Sequence, residues 1–286
     1  MVDDDKRTLS RRTLLQGAAI AAGTVGATIA LPGIASAGQD GFGYRRRIPV
    51  ERISIQLYTL RSLLQNDLDG TLSALSDIGY RNVEMAGTYG RSAVEFRGAL
   101  DRNHLHATSS HVGIDGDLDQ TIADAKILGH RYSAVPYVRF GTIAEWETFA
   151  KRLDAASRTF AKAGIQFGYH NHNFEFTAID GVQPYDVLAR LTNPRYCHFE
   201  VDLYWAVVGG ADPVEIYRER RVLQYHVKDR AADGSWADLG TGNIDFPHIF
   251  HETASGIREF IVEHDNPPDP LKTAEVGYNY LRNVRF

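Results

Sequence analysis

The chain has 286 residues, 43% of them hydrophobic and 23% charged, which is enough apolar material for one large core and ordinary for a globular protein. Its formal net charge of −5 argues against a nucleic-acid partner, because phosphate backbones call for a basic face. Cys197 is the only cysteine, so no internal disulfide can form, and within a strand-like run it reads as a small buried apolar residue.

The chain opens on Ser10-Arg11-Arg12-Thr13-Leu14-Leu15-Gln16, then an Ala/Gly-rich run from Gly17 to Ala30, then Ala35-Ser36-Ala37. A charged start, a modest apolar core and a small-residue cleavage site make a secretory signal. The paired arginines make it resemble a twin-arginine signal, with Leu14 and Gln16 standing where Phe and Lys are commoner. The apolar run is too short and glycine-rich for the roughly 20 residues that span a bilayer. Residues 1–37 are therefore expected to be removed after Ala37, leaving no stable membrane span and placing the protein in the periplasm or outside the cell. That route moves folded proteins, so a metal can be loaded first, and a chain without disulfides suits it. Residues 38–51, rich in Gly and Arg, read as a flexible lead-in.

From Arg52 onward one unit recurs: an apolar run, a polar loop, an amphipathic segment, and often a glycine. The predicted strands are Ile53–Leu57, Asn82–Met85, His106–Ser110, Tyr132–Val135, Ile165–Tyr169, Cys197–Val201, Val222–Val227 and Glu259–Val262. Helical spacing appears over Asp69–Ile78 (Leu72, Leu75, Ile78) and Ile143–Ala163 (Trp146, Phe149, Leu153, Phe160). Gly79, Gly129 and Gly164 sit where helices should stop. Eight such strands predict an α/β fold, a single-domain (β/α)8 TIM barrel over residues 52–286. A doubly wound sheet is the alternative, but its usual Gly-rich loop is missing after the first strand, where the chain reads Tyr58-Thr-Leu-Arg61.

In a barrel the C-terminal strand ends form the active face. Polar residues gather at those ends: Glu84, Ser110, His111, Tyr137, His170, His172, Asp202, His226, Lys228 and Glu263. His170 and His172 are two apart, so on a strand they leave the same face. Asp202, His226 and Glu263 make a mixed nitrogen and oxygen set that suits one divalent ion (Mn, Zn, Co or Fe), with His170 or Glu175 completing it. Taken singly each has a plainer reading; Asp202, for one, suits a helix cap. Lys228 suits an oxyanion, or an ion pair with Asp229. Tyr204 and Trp205 suit stacking on a sugar or loop packing, and Trp236 is placed to line the pocket mouth. Glu200, one layer below Asp202, needs a partner, for which His198 is the expected one. Gly240-Thr-Gly242 reads as a turn, since it lacks the Lys-Ser/Thr of a phosphate loop.

Several short motifs, in this order and spacing, resemble the xylose-isomerase-like TIM barrel family of sugar phosphate isomerases and epimerases. They are Gly79-Tyr-Arg-Asn-Val-Glu84, Tyr169-His-Asn-His-Asn-Phe-Glu-Phe176, Val201-Asp202, Tyr225-His-Val-Lys-Asp229, Leu239-Gly-Thr-Gly-Asn-Ile-Asp-Phe246 and Val262-Glu-His-Asp265. The resemblance implies metal ligands at Asp202, His226 and Glu263. The family's strand-five glutamate falls on His170, a departure shared with an inosose-dehydratase-like branch. In the epimerase branch that glutamate and the strand-eight glutamate are the two bases. Here His172, Glu175 or Glu84 would have to replace one, or the chemistry is one-sided.

The implied reaction is proton removal next to the carbonyl of a sugar or polyol, with the metal as Lewis acid. Isomerisation, epimerisation and loss of water share that first step. The expected catalytic residues are Glu263, Glu175, His172 and Lys228; the expected substrate contacts are Glu84, His111, Tyr137, Tyr204, Trp205 and Trp236. The expected partner is a small-molecule sugar, with a homo-oligomer possible. A binding barrel without catalysis is the remaining alternative.

Overall fold

The structure, a computed structural model, describes residues 45–286. The signal read in residues 1–37 lies outside the described residues. The barrel strands are β1 (Ile53–Gln56), β2 (Asn82–Met85), β3 (His106–Ser110), β4 (Tyr132–Val135), β5 (Gln166–His170), β6 (Cys197–Asp202), β7 (Val222–Val227) and β8 (Glu259–Val262). Every neighbouring pair is parallel, and the ladder runs from β3 through β2, β1, β8, β7, β6 and β5 to β4. Its two ends meet. Arg131 N–H donates to the Thr108 carbonyl at 2.8 Å and Val112 N–H to the Ala134 carbonyl at 3.0 Å, so β3 and β4 close the barrel through a thinner seam. The predicted TIM barrel is the observed fold.

Three strands differ from the periodicity by one residue, β1 and β6 at their ends and β5 at both, since it begins at Gln166. β1 stops at Gln56 because Leu57 begins a 3-10 turn whose first free amide, Tyr58 N–H, is taken by the Gln56 side chain. β5 and β6 each run one residue further than predicted, so His170 and Asp202 are held inside the ladder, opposite Glu200 and His226 respectively. Ladder residues are more rigid than loop residues, which suits a site that must hold fixed geometry. The two predicted helices appear as Leu68–Ile78 and Ile143–Lys162. The second starts on a capping box in which Thr142 and Glu145 satisfy each other's backbone amides.

Strand alternation separates two environments. Ile53, Ile55, Val83, Phe167, Tyr169, Val201, Tyr225 and Phe260 join the core shared with the helices, where Phe160 stacks on Phe167 at 4.1 Å. The alternate positions face the barrel axis and are polar: Ser54, Gln56, Glu84, Ser109, His198, Glu200, Gln224 and His226 are all 0% exposed. Gly168 belongs to this inner set, and a Cβ there would overlap the His198 carbonyl oxygen, which explains a glycine inside a strand. His198 pairs with Gln224 at 3.0 Å, not with Glu200 as the sequence suggested, because its ring reaches across to the neighbouring β7.

The lead-in is tied down where it is described: Arg46 and Phe286 exchange backbone hydrogen bonds of 3.0 and 3.2 Å. Among the described residues no helix is long and apolar enough to cross a membrane. Cys197 is buried and its thiol is pushed up to about 11 by that burial, as expected for a packing residue.

Glu259 lies at the opposite end of the axis from the polar strand ends. Burial pushes its carboxyl from 4.5 up to about 7, against hydrogen bonds from Thr108 and Gln224 that pull it down. Between those two values the folded state keeps a proton that the unfolded chain releases, so this group's contribution to stability falls as pH rises through the window. Glu259→Gln mimics the protonated form. It should raise stability by up to about 3 kcal/mol at mildly alkaline pH and change little at acid pH, read from denaturant midpoints at the two pH values.

Candidate active site

The site is assembled by three adjacent strands, with further side chains from β1, β2, β3 and β5. β6 turns His198, Glu200 and Asp202 to the axis; β7 turns Gln224, His226 and, just past its end, Lys228; β8 turns Glu259 and Glu263. β5 adds His170, and His111 follows β3. All of these except His198, Gln224 and Glu259 stack in two layers near the C-terminal mouth.

The deeper layer centres on two carboxylates. Glu200 Oε1 lies 2.8 Å from His111 Nε2, 3.1 Å from His170 Nδ1 and 3.0 Å from His226 Nε2. Glu84 Oε1 lies 2.6 Å from His226 Nε2 and accepts from Gln56 Nε2 at 2.7 Å, while Ser109 Oγ donates to Glu84 Oε2 at 2.5 Å. The outer layer is built around Lys228. Its Nζ is 2.9 Å from Asp202 Oδ2, 2.7 Å from Glu263 Oε2 and 3.1 Å from Asp265 Oδ1. His226 joins the layers: its Nδ1 is 2.6 Å from Glu263 Oε2.

Protonation follows from this packing. Burial disfavours the charged form of His226, but Glu200, Glu263 and Glu84 outweigh it and hold the ring well above its usual range. His170 goes the other way: burial and the neighbouring His226 charge keep it neutral, well below the usual value. Burial would raise Glu263, yet Lys228 and His226 hold it well below the carboxylate range. Asp202 is pushed up to about 6 by burial, which Lys228 and His226 only partly offset. Lys228 stays an ammonium, because Asp202, Glu263 and Asp265 overcome the burial that would discharge it. Glu84 and Glu200 pull His111 upward against burial, and its Nδ1 faces the Gln56 amide nitrogen at 3.3 Å.

A cavity of about 410 Å³ opens above this floor, with His111, His170, His172, Lys228, Glu263 and Asp265 on its polar side and Tyr58, Ala86, Pro136 and Tyr137 on its walls. Of the predicted substrate contacts, His111 and Tyr137 line it, as do the predicted catalytic residues His172, Lys228 and Glu263. His172 packs edge-on to Tyr137 and stacks on Phe174, and burial holds its ring down at about 3, so it is neutral.

Other predicted residues stand elsewhere. Glu84 is sealed in the deeper layer, because its strand position lies below the mouth. Glu175 sits in a 3-10 turn that curls back, where it accepts from Tyr169 Oη at 2.7 Å and from the His172 amide at 2.8 Å; its carboxylate serves the loop, not the cavity wall. Tyr204 is buried with its hydroxyl donating to the Gly234 carbonyl at 2.8 Å. Trp205 and Trp236 pack edge to face beside the site, the former 5.9 Å from Lys228 Nζ, and neither lines the cavity. Lys228 pairs with Asp265 and not with Asp229. The Asp229 carboxylate accepts the Gly240 and Gly242 amides at 2.9 Å each, so the Gly-Thr-Gly turn cradles an internal anion.

Sequence reasoning missed Tyr58, Gln56 and Asp265. Asp265 was within reach: it is two past Glu263, in the same motif. Glu200 was seen as needing a partner, but its three imidazoles come from three different strand ends.

A divalent ion fits the outer layer. His170, Asp202, His226 and Glu263 each present one ligand atom, all within 4.8 Å of one another, in a nitrogen and oxygen mix. Asp202 Oδ1 caps the helix Leu203–Val208 through Trp205 N–H at 2.9 Å, so it meets the capping expectation too, and Oδ2 remains without a hydrogen bond, facing Lys228. A second grouping, His111, His170, Glu200 and His226, shares two histidines with the first, and its atoms are engaged with one another as described above.

Comparison with known proteins agrees with this architecture. The chain is 25% identical over 269 residues to the rhizopine catabolism protein MocC of Rhizobium meliloti, covering 76% of this chain and 81% of that protein. It is 25% identical over 230 residues to the inosose dehydratase of Geobacillus kaustophilus, covering 64% of this chain and 74% of that enzyme. Among solved structures, a sugar phosphate isomerase/epimerase from Parabacteroides distasonis superposes with a TM-score of 0.72 at 28% identity, over 81% of this chain and 98% of that one. The family model described as xylose isomerase-like TIM barrel matches residues 72–284. With the closed parallel barrel and the His/Asp/Glu floor at its C-terminal mouth, that match makes the chain a member of the xylose isomerase-like TIM barrel family.

Proposed function

We propose that the protein is a metal-dependent enzyme that removes the proton next to a carbonyl of a keto-sugar or cyclic keto-polyol and works from one side of its substrate. The observation that carries the one-sided reading is the distribution of carboxylates: Glu263 and Asp265, the two that line the cavity, are both paired to Lys228, and Glu175 is bound into its own loop. A two-carboxylate shuttle across the substrate, as epimerisation at one carbon needs, lacks its second member. Elimination of water is the outcome we favour, and similarity to an inosose dehydratase supports it. Isomerisation, in which one base returns the proton to the adjacent carbon, is the second reading, supported by similarity to the sugar phosphate isomerase/epimerase.

In this reading His170, Asp202, His226 and Glu263 would hold the divalent ion, which supplies Lewis-acid polarisation of the substrate carbonyl. Glu263, kept ionised by Lys228 and His226, is the group we assign as base. Lys228, a fixed ammonium, stabilises the negative charge that develops on oxygen. His172, neutral on the cavity wall, is suited to hydrogen-bond a substrate hydroxyl. Tyr58 and Tyr137 offer rings to the apolar face of a sugar.

Three measurements test the proposal. Asp202→Asn keeps the helix cap but removes a ligand charge; it should weaken Mn or Co binding by a factor on the order of 100, read by calorimetry, with little change in metal-free melting temperature. Unchanged affinity would remove Asp202 from the ligand set. Metal-loaded enzyme incubated in deuterated water with keto-sugars and inososes should exchange the proton next to the carbonyl, and mass loss of one water would select elimination over isomerisation. No exchange with any of them would leave the barrel as a binder. We further propose that the enzyme acts after export: the mass of the mature protein should place cleavage after Ala37, and retention of the leader in fractionated cells would refute this.

A further inference from the structure

A chain of hydrogen bonds runs from a backbone amide to His170, and each link dictates the next. The amide of Tyr58 can only donate, and Gln56 Oε1 accepts it at 3.0 Å. That fixes which end of the Gln56 amide is nitrogen. Gln56 Nε2 then faces Glu84 Oε1 at 2.7 Å and His111 Nδ1 at 3.3 Å. His111 Nδ1 is therefore an acceptor, and the ring's proton sits on Nε2, 2.8 Å from Glu200 Oε1. The same carboxylate oxygen faces His170 Nδ1 at 3.1 Å. A carboxylate oxygen accepts, so this contact places a proton on Nδ1. Nε2 lies 3.8 Å from Asp202 Oδ2, beyond hydrogen-bond reach, so no N–H is called for on that side of the ring. The opposite tautomer would set a lone pair against Glu200.

We propose that Gln56 and Glu200 are positioning residues that lock His170 as its Nδ1–H tautomer, so that this histidine offers a lone pair, and not an N–H, to the outer layer. Glu200 acts on His170 directly. Gln56 acts through His111, whose proton it confines to the nitrogen that faces Glu200. The consequence for a bound ion rests on the metal reading above; the tautomer does not. The same logic explains why polar residues fill an axis that could have been packed with apolar ones: a histidine ligand needs its other nitrogen held.

Histidine-ring 1H–15N NMR on the full, metal-free chain at neutral pH reads the tautomer directly. His170 should be protonated at Nδ1 and bare at Nε2. In Glu200→Gln the new amide can turn its NH2 to the ring, so the Nε2–H tautomer should appear and Co(II) affinity should fall roughly 10- to 100-fold, with altered Co(II) visible bands. Gln56→Glu removes the donor to His111 and should shift the His111 proton to Nδ1, with a smaller loss of Co(II) affinity. Melting of the metal-free variants separates these effects from misfolding. A wild-type His170 protonated at Nε2, or one that keeps Nδ1–H in Glu200→Gln, would overturn the proposal. If the tautomers behave as stated but wild-type protein binds no Co(II), the positioning network stands and the metal reading falls.

Discussion

Glu200 is a carboxylate sealed in the axis of a barrel with 0% exposure, where water cannot solvate it. Burying such a charge costs several kcal/mol unless the protein supplies partners. Three imidazoles from three strand ends supply them here, at 2.8 to 3.1 Å. Much of the inner architecture is organised by that requirement. His111, His170 and His226 must point inward together, so β3, β5 and β7 must keep their register with β6. The second buried carboxylate, Glu84, shares His226 with Glu200 and needs Gln56 and Ser109 as further donors. What results is a polar column where a barrel of this kind can equally hold packed aliphatic layers.

The outer layer solves a different electrostatic problem. Asp202, Glu263 and Asp265 converge near the mouth, and Lys228 sits among them with 2% of its surface exposed. Lys228 and the charged ring of His226 together offset these carboxylates, so the layer is a dense ion-pair network and not a bare acidic cluster. Asp202 divides its labour between its two oxygens: Oδ1 caps a helix and Oδ2 faces the site. The cap pins the side chain's rotamer, so a local feature of helix start doubles as a rigid support for the chemistry.

Some residues were legible because the signal they carry is local. Alternation along Cys197–Asp202 places Glu200 and Asp202 on one face, and the glycines at 79, 129 and 164 end helices at φ of 124°, 92° and 84°. Glu84, Glu175 and Tyr204 show the limit of such reasoning. Period-two alternation tells which face a side chain takes but not its depth along the axis, so Glu84 reads like a mouth residue although it lies a layer below. Glu175 follows a strand end in sequence, but three residues of 3-10 turn return it to Tyr169. Asp229 and Lys228 are adjacent and opposite in charge, yet a strand-like backbone turns them to opposite sides, one to the glycine turn and one to Asp265.

The order of strands, the polarity of the strand ends and the His/Asp/Glu character of the site were determined by the sequence alone, because each depends on neighbours within a few residues. Which carboxylate meets which imidazole, and therefore which nitrogen carries the proton, was decided only by the tertiary structure. Those pairings depend on the relative height of strands far apart in the chain, set when β3 and β4 close the barrel. No periodicity within one segment encodes that height, since closure is a property of the whole ring.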